Sequence, residues 1–555
     1  MNPDFPFSSN FDRAAFQEQI RSAQARNPAR DDTEYSYLKS HGIKYVVEAP
    51  GTNADNVRGV VRDIWQLEAA VEPLFQQYGE APAVPEALQA FYLVSIPAAA
   101  FSDLAENPYD AAYALLAGSQ FRSVEPDLPY TQFLSASAAA SVSGSGSPST
   151  DQAWSLRNIR ADQAWRIPAL PPGKNDGRGV SVAHLDTGWT HHDDLDRPNF
   201  DPGHRIKDFI DPNSNAQDPL NYRGNPGHGT RTGSVIMSRG DVSPTPPGTL
   251  PPGQITGVAR FATYVPIRCI KSVVIIFNSN VARGVHHATA FSCDVVSMSL
   301  GGLPMKALHA AIQRATANRL LVLCAAGNKV GVTVWPANYR ESIAVAASNS
   351  SDKPWFWTSG GPAVDISAPG EDVWKADPDS KQVAFSPGSG TSYATATLAG
   401  VAALWLAFYD KRRLVGIANS KSQELQDLFR EEIKFTAKKP VGWNTRLFGA
   451  GIVDAMSLLS SGLTAIGTRV SHSIPTRHDS GGYVGSGMAA AKELLRTDLG
   501  QLARDSTQTF EHELARIFLD EANDRGSAEL VMTPEHLLDV LRRRGSRTLR
   551  SATGL

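Results

Sequence analysis

Between residues 151 and 461 the chain carries short, almost unbroken apolar runs: GVSVAHLD, DVVSMSL, RLLVLCAAG and SIAVAAS. Stretches such as ARGVHHATAFS and MKALHAAIQRATAN separate them, with apolar residues recurring at helical spacing. An unbroken apolar strand is buried on both faces, and parallel pairing needs long crossovers, usually helices. The pattern therefore predicts an α/β unit, a parallel sheet flanked by helices on both faces. The longest apolar run, Ala394 to Phe408, is interrupted by threonines and is too short to span a membrane comfortably. It predicts a buried core helix.

A smaller unit, residues 35–133, has a different texture. KYVVEAP, FYLVSIP and QFRSVEP read as strands. DNVRGVVRDIWQLEAAVEPLFQQY and AAFSDLAENPYDAAYALLAG read as helices, which makes this N-terminal piece a small α+β unit. Residues 1–34 are polar and mixed, and read as disordered. Residues 134–150, built on SASAAASVSGSGSPST, have nothing to anchor a core and predict a flexible, protease-accessible linker. Residues 462–555 open on a Ser/Gly/His-rich stretch and continue into AAAKELLRTDLGQLARDS and EHELARIFLDEAND, amphipathic at helical spacing. A last helix is expected with Thr533 as N-cap and Pro534 in its first turn. This helical C-terminal extension ends in LRRRGSRTLR, where Arg542, Arg543 and Arg544 suit a solvated helix end as well as a binding patch.

Composition narrows the function. At 42% hydrophobic and 20% charged, the chain has the balance of a globular protein, and a net charge of −3 gives no reason to expect nucleic acid or an anionic membrane as partner. The N-terminus lacks the basic start and apolar stretch of a secretory signal. Cys269, Cys293 and Cys324 are an odd number and lie within apolar segments, so buried free thiols are expected. These features predict a cytoplasmic protein, or one exported by a route without an N-terminal signal peptide.

In parallel sheets chemistry collects where strands end and helices begin. Asp186 follows a strand in LDTGW, His228 precedes a helical segment in GNPGHGTRTGSVI, Asn328 ends AAGN, and Ser392 opens a helix in GSGTSYA. Singly, each has a plain structural reading: a turn aspartate, a surface histidine, a turn asparagine and a helix-capping serine. Together they supply a hydroxyl nucleophile, a base, a carboxylate to orient that base, and an oxyanion donor, which is the set acyl transfer needs.

At this point the residues carry a resemblance. The ordered blocks AHLDTGW, GHGTRTGSVI, VVSMSLGG, AAGN, DISAPG and GSGTSYATATLAG resemble those of the subtilisin-like serine proteases, the subtilases. AWSLRNIRADQAW is similar to that family's lead-in to the mature enzyme, and FGAGIVDA to its closing helix. The order Asp, His, Asn, Ser excludes the α/β-hydrolases, in which serine comes first. The resemblance implies a serine endopeptidase. Ser392 would attack the scissile carbonyl, His228 would accept and return the proton, and Asp186 would orient the imidazole. The Asn328 amide and the Ser392 N–H would bind the oxyanion. Substrate is expected to lie extended against Ser299, Leu300 and Gly301, with Gly301, Ala325, Ala326 and Gly327 lining an apolar primary pocket.

Residues 35–133 occupy the place of a subtilase prodomain, so the chain's own N-terminal segment is expected to act as an intramolecular inhibitor, cut within or beside the 134–150 linker. The C-terminal helices match no motif, and docking on the catalytic domain or on a protein partner is expected of them. No cofactor is required. Calcium commonly stabilises the family, but no carboxylate cluster here can be assigned to it. Two other readings stay open: a catalytically silent peptide-binding scaffold, and a subtilase that transfers its acyl group to an amine. The family usually continues Gly-His-Gly-Thr with histidine-valine, where Arg231 and Thr232 stand here. It usually follows the serine with methionine and then a Pro-His pair, where Tyr393, Ala396 and Thr397 stand. None of these positions donates a proton or an oxyanion bond, so they bear on packing and pocket shape.

Overall fold

The computed structural model describes residues 41–103, 107–129, 151–195, 200–239 (except 202, 204 and 223), 255–329 (except 274), 332–378, 384–469, 503–525 and 534–552. The expected disordered N-terminus, the 134–150 linker and Thr533 lie outside the described residues.

The N-terminal unit is a four-stranded antiparallel sheet in the order β2-β3-β1-β4. Its elements are β1 (Ile43–Glu48), α1 (Ala54–Trp65), β2 (Ala70–Pro73), β3 (Phe91–Ile96), α2 (Pro108–Ala117) and β4 (Ser123–Pro126). The helix expected over residues 55–78 stops halfway. Gln66 turns left-handed at φ 54° and returns its N–H to Arg62 O, and the chain then re-enters the sheet as β2 beside β3. Val71 is buried between exposed neighbours, a period-2 pattern within a stretch that also fits helical spacing. The helix expected over 99–118 begins instead at Pro108, where the Asn107 side chain accepts the Tyr109 N–H.

The catalytic-type unit is built on a seven-stranded parallel sheet, β11-β10-β9-β8-β5-β7-β6. The strands are β5 (Ser181–Asp186), β6 (Lys207–Asp208), β7 (Thr263–Arg268), β8 (Val295–Met298), β9 (Leu321–Ala325), β10 (Ile343–Ser348) and β11 (Val364–Pro369). β5 pairs with β7 on one side and β8 on the other, so it lies where the strand order reverses, the place where such sheets open a crevice at their carboxyl ends. Both faces are covered, as the unbroken apolar runs require. Ala183, Leu185, Val296 and Val322 face a core shared with α4 (Asn278–Ala290) and α5 (Lys306–Ala317). Val182, Val295, Leu321 and Leu323 face the other core, shared with α3 (His228–Met237) and α6 (Thr391–Tyr409). Between β11 and α6 an antiparallel hairpin, β12 (Val373–Asp377) and β13 (Ala384–Gly388), leads into the serine, and α7 (Lys411–Ser420) and α8 (Leu425–Thr436) follow α6.

Helix α6 is the one described helix long and apolar enough to cross a membrane, and it is buried over its whole length inside the protein. Its role as a core helix follows from that burial. Cys269, Cys293 and Cys324 are buried, and none is in a disulfide.

The N-terminal unit rests on α4 and α5, and all three contribute to one apolar cluster. Its polar contacts fall on the first turns of those helices. Asp127 Oδ1 accepts the Ser279 N–H at 3.4 Å, and Glu125 Oε2 accepts the Lys306 N–H at 2.9 Å. Helix N-termini leave N–H groups without intrahelical partners, and two carboxyl groups from another unit accept from them here. Arg283 adds bonds to Leu74 O at 3.0 Å and Glu72 at 2.6 Å, and His286 Nε2 donates to Gln76 O at 3.1 Å. The described chain leaves this unit at Pro129, still buried.

Candidate active site

Asp186 closes β5, and His228 opens α3 directly opposite. Two glycines make the approach possible. A Cβ on Gly229 would stand 2.0 Å from Gly188 O, and Gly227, at φ 77°, turns the chain into the helix. His228 Nδ1 then lies 2.8 Å from Asp186 Oδ1 and 3.0 Å from Oδ2, and Asp186 Oδ1 also accepts the Thr187 N–H at 2.7 Å. Both side chains are buried. Burial pushes the Asp186 carboxyl up, but the charge and hydrogen bond of His228, helped by His184 and the Thr187 N–H, outweigh it and leave it below the usual range. An anionic Asp186 accepting from Nδ1–H leaves Nε2 of His228 as the basic atom.

Ser392 sits in the first turn of α6, facing the same cleft as His228. Its hydroxyl lies 3.4 Å from Ser299 O, its hydrogen-bond partner here. Asn328 follows β9. Its Oδ1 accepts from both the Thr391 N–H at 2.9 Å and the Thr391 hydroxyl at 2.8 Å. Two donors converging on one atom fix the amide orientation and turn Nδ2 toward the cleft. The backbone N–H of Ser392, at the positive end of a nineteen-residue helix, faces the same place.

The cleft between these groups encloses about 310 Å³. Ser299, Leu300, Gly301, Ala325 and Gly327 line it. Ala326 does not. Side chains alternate beyond β9, so it points away from the cleft and packs with Ala346 and Val364. The floor is Val334, whose Cγ2 lies 2.3 Å from where a Cβ on Gly301 would stand.

The opposite wall is one the sequence reading missed. Arg231 Nε and Lys375 Nζ both hydrogen-bond Asp377 Oδ1, at 2.8 and 2.6 Å, and Lys375 also reaches Ser386 Oγ at 2.6 Å. Burial pushes the Asp377 carboxyl up, but Lys375, Ser386 and Arg231 together bring it below the usual range. Burial likewise lowers Lys375 to about 8, against the pull of Asp377. Arg231 in place of histidine was the one signal of this group.

The comparisons decide the family. The subtilase family profile matches residues 177–451. An intracellular serine protease of Paenibacillus polymyxa is 30% identical over 287 residues, which is 50% of this chain and 79% of that protein. Thermitase of Thermoactinomyces vulgaris is 32% identical over 260 residues, 45% of this chain and 80% of its own. Subtilisin Savinase of Lederbergia lenta is 30% identical over 307 residues, covering 54% and 96%.

The chain belongs to the subtilase family. It is a subtilisin-like serine endopeptidase, and its substrates are polypeptides. This subtilase places its departures from the family pattern in two settings. Tyr393, Ala396 and Thr397 are all buried in the first turns of α6, where the ring of Tyr393 lies against Gly388 of the hairpin. Thr232 instead joins a buried polar cluster: its Oγ1 donates to His228 O at 2.9 Å and lies 3.1 Å from Nε2 of His184. His184 is one residue from Leu185 and two from Asp186, yet faces the opposite core from Leu185. No sequence motif marked it. Among the described residues no group of three His, Cys, Asp or Glu side chains is arranged to hold a metal ion.

Proposed function

We propose that this subtilase cuts peptide bonds with Ser392 as nucleophile, His228 as general base and then general acid, and Asp186 as the group that orients the imidazole. The observation that carries this reading is the buried His228 Nδ1–Asp186 bond at 2.8 Å, which faces one cleft with Ser392 and a free-pointing Asn328 amide. As Ser392 Oγ attacks the carbonyl carbon, its proton passes to His228 Nε2 and the carbonyl π electrons move to oxygen. That oxyanion is met by Asn328 Nδ2 and the Ser392 N–H. Collapse expels the amine, which takes the proton from His228, and water repeats the cycle on the acyl-enzyme. The small residues Gly301, Ala325 and Gly327 over the Val334 floor support an apolar side chain in the primary pocket.

The N-terminal unit is read as an inhibitory prodomain. Its support is the pair of carboxylates, Glu125 and Asp127, set on the N-termini of α5 and α4. Beyond Pro129 the chain would continue toward the cleft and be cut near the 134–150 linker. A fluorophosphonate probe tests the activity: it should label the wild-type chain and leave Ser392→Ala unlabelled. A chain that takes no label even after removal of residues 1–150 refutes the proposal.

A further inference from the structure

The C-terminal helices, expected to dock on the catalytic domain or on a protein partner, dock on the N-terminal unit. Helices α9 (Ala503–Arg525), α10 (Pro534–Arg544) and α11 (Arg547–Ala552) meet α2 of the N-terminal unit. The two amphipathic segments read from sequence continue into each other here, since α9 runs through the end of one and the whole of the other. Its face toward α2 is both apolar and polar. Phe510 packs edge-on against Tyr113 at 4.8 Å between centroids, and Leu514, Phe518, Val540 and Leu541 share a cluster with the N-terminal core.

The polar contacts interlock. Tyr113 donates its hydroxyl to Glu513 Oε2 at 2.8 Å, and Tyr109 Oη lies 3.0 Å from His512 Nδ1. Ser546 supplies Glu513 with its N–H at 2.6 Å and its hydroxyl at 3.0 Å. From the other side, Asp110 accepts the N–H groups of Arg547 at 3.1 Å and Thr548 at 2.8 Å, and the Thr548 hydroxyl at 2.7 Å. Losing a donor to a buried carboxyl group is costly, and Tyr113 supplies one of the three hydrogen bonds that Glu513 accepts, the one that crosses to the N-terminal unit. Of the arginines expected at a solvated end or binding patch, Arg542 and Arg543 are exposed and Arg544 is half-buried. Arg543 and Arg544 reach Glu521, and Arg543 also pairs with Asp539.

We infer that the C-terminal extension is a tether for the N-terminal unit: it holds that unit on the enzyme after the connection between them is cut. The N-terminal unit then binds two surfaces of one chain, α4–α5 of the catalytic unit and α9–α11. Both must let go together, and such bivalency lengthens residence by on the order of 10²–10⁴ where geometry permits simultaneous contact. Self-cleavage alone would leave this subtilase with its N-terminal unit in place, and release would require the α2–α9 contact to open. The inference rests on the prodomain reading only for its consequence on activity.

The experiment inserts a recognition site for an unrelated protease into residues 135–150 of the full chain carrying Ser392→Ala. After cutting and dilution, size-exclusion chromatography follows the loss of the N-terminal fragment. Two independent variants weaken the tether from opposite sides, Asp110→Ala and the double change Phe510→Ala with Glu513→Ala. Circular dichroism of the uncut chains confirms that they fold. Fragment loss at least about tenfold faster from both variants is expected, and equal rates from variants and parent overturn the tether. The same cut made in chains retaining Ser392 separates the two ideas. Slow release with full peptidase activity upholds the tether and refutes the inhibitor, whereas activity that rises as the fragment leaves upholds both.

Discussion

His184 Nε2 lies 3.6 Å from Asp186 Oδ2, and the opposite ring nitrogen, Nδ1, lies 2.8 Å from the Tyr264 hydroxyl. Burial lowers His184 to about 4, against the pull of Asp186, so the ring is neutral near pH 7 and must choose a tautomer. A proton on Nδ1 would aim a lone pair at an anionic carboxylate. A proton on Nε2 points at Thr232 Oγ1 and Asp186, while Tyr264 donates to Nδ1 and Thr232 donates to His228 O. The second arrangement keeps a donor facing the carboxylate, and it turns the Tyr264 proton to Nδ1 at 2.8 Å in preference to Gly229 O at 3.3 Å. His184 would thus act as a positioning residue behind Asp186, and Gly233 makes room for its Tyr264 partner, because a Cβ there would stand 2.4 Å from the Tyr264 hydroxyl.

Removing the Thr232 hydroxyl should loosen Asp186 through His184. Thr232→Val is expected to lower kcat about tenfold with KM little changed, the loss of roughly one hydrogen bond between neutral groups. Thr232→Ser should restore it. A double change, His184→Val with Thr232→Val, repacks the site with apolar groups and should fold yet turn over no faster than Thr232→Val alone. Active-site titration with the fluorophosphonate corrects each rate for the folded fraction. A full rate per titrated site in the double variant contradicts the positioning role.

Asn328 is expected to matter chiefly in the transition state. Asn328→Ala removes the Nδ2 donor and should cost on the order of 10²–10³ in kcat, with a much smaller change in KM. Thr391→Val tests the clasp that orients the amide, since Thr391 loses one of its two bonds to Oδ1. An intermediate loss of kcat is expected, measured on one peptide substrate under saturating conditions.

Much of this site was legible because each element carries its own local signature. Asp186 ends a strand, His228 follows a glycine that turns into a helix, and Ser392 begins a long apolar helix, so one pass along the chain finds all three. The capping reading of Ser392 did not hold: Gly390 is the N-cap residue, without a side-chain cap, and Ser392 lies inside the first turn, where the start of α6 sets its N–H beside the expected oxyanion. The parts that were not legible depend on partners distant in sequence. Residues 70–73 fit a helix until β3 pairs with them, and Ala326 looked equivalent to Ala325 until the alternation beyond β9 turned it inward. His184 needs Tyr264 and Thr232 to acquire meaning, and the tether needs α2 and α9, some four hundred residues apart.

Self-cleavage should fall between about Leu134 and Asp151. The intact mass of purified wild-type protein should show two pieces, and Ser392→Ala one full-length chain. By the tether, both wild-type pieces should travel together in native mass spectrometry. Full-length wild-type chain that hydrolyses peptides contradicts this cleavage.

The seat of the N-terminal unit should respond to pH through Glu125. Burial, against the pull of Lys306 and with a further push from Glu511 and Glu48, raises this carboxyl from 4.5 to about 7. Docking therefore takes up a proton between those values. The contribution of Glu125 is fully present below pH 4.5 and is lost as pH rises through about 7. Asp127 is raised in the same sense, whereas His286 and His287, lowered by burial at the same junction, act in the opposite one. Those three groups are common to wild type and Glu125→Gln, so the ratio of the two affinities isolates Glu125. Glutamine still accepts the Lys306 N–H but does not titrate. The ratio of variant to wild-type affinity, read from release of the cut fragment, should rise roughly fortyfold from pH 5 to pH 7 and level off above pH 8. A ratio that stays flat across that range would show that Glu125 is already ionised when docked, held so by the N-terminus of α5.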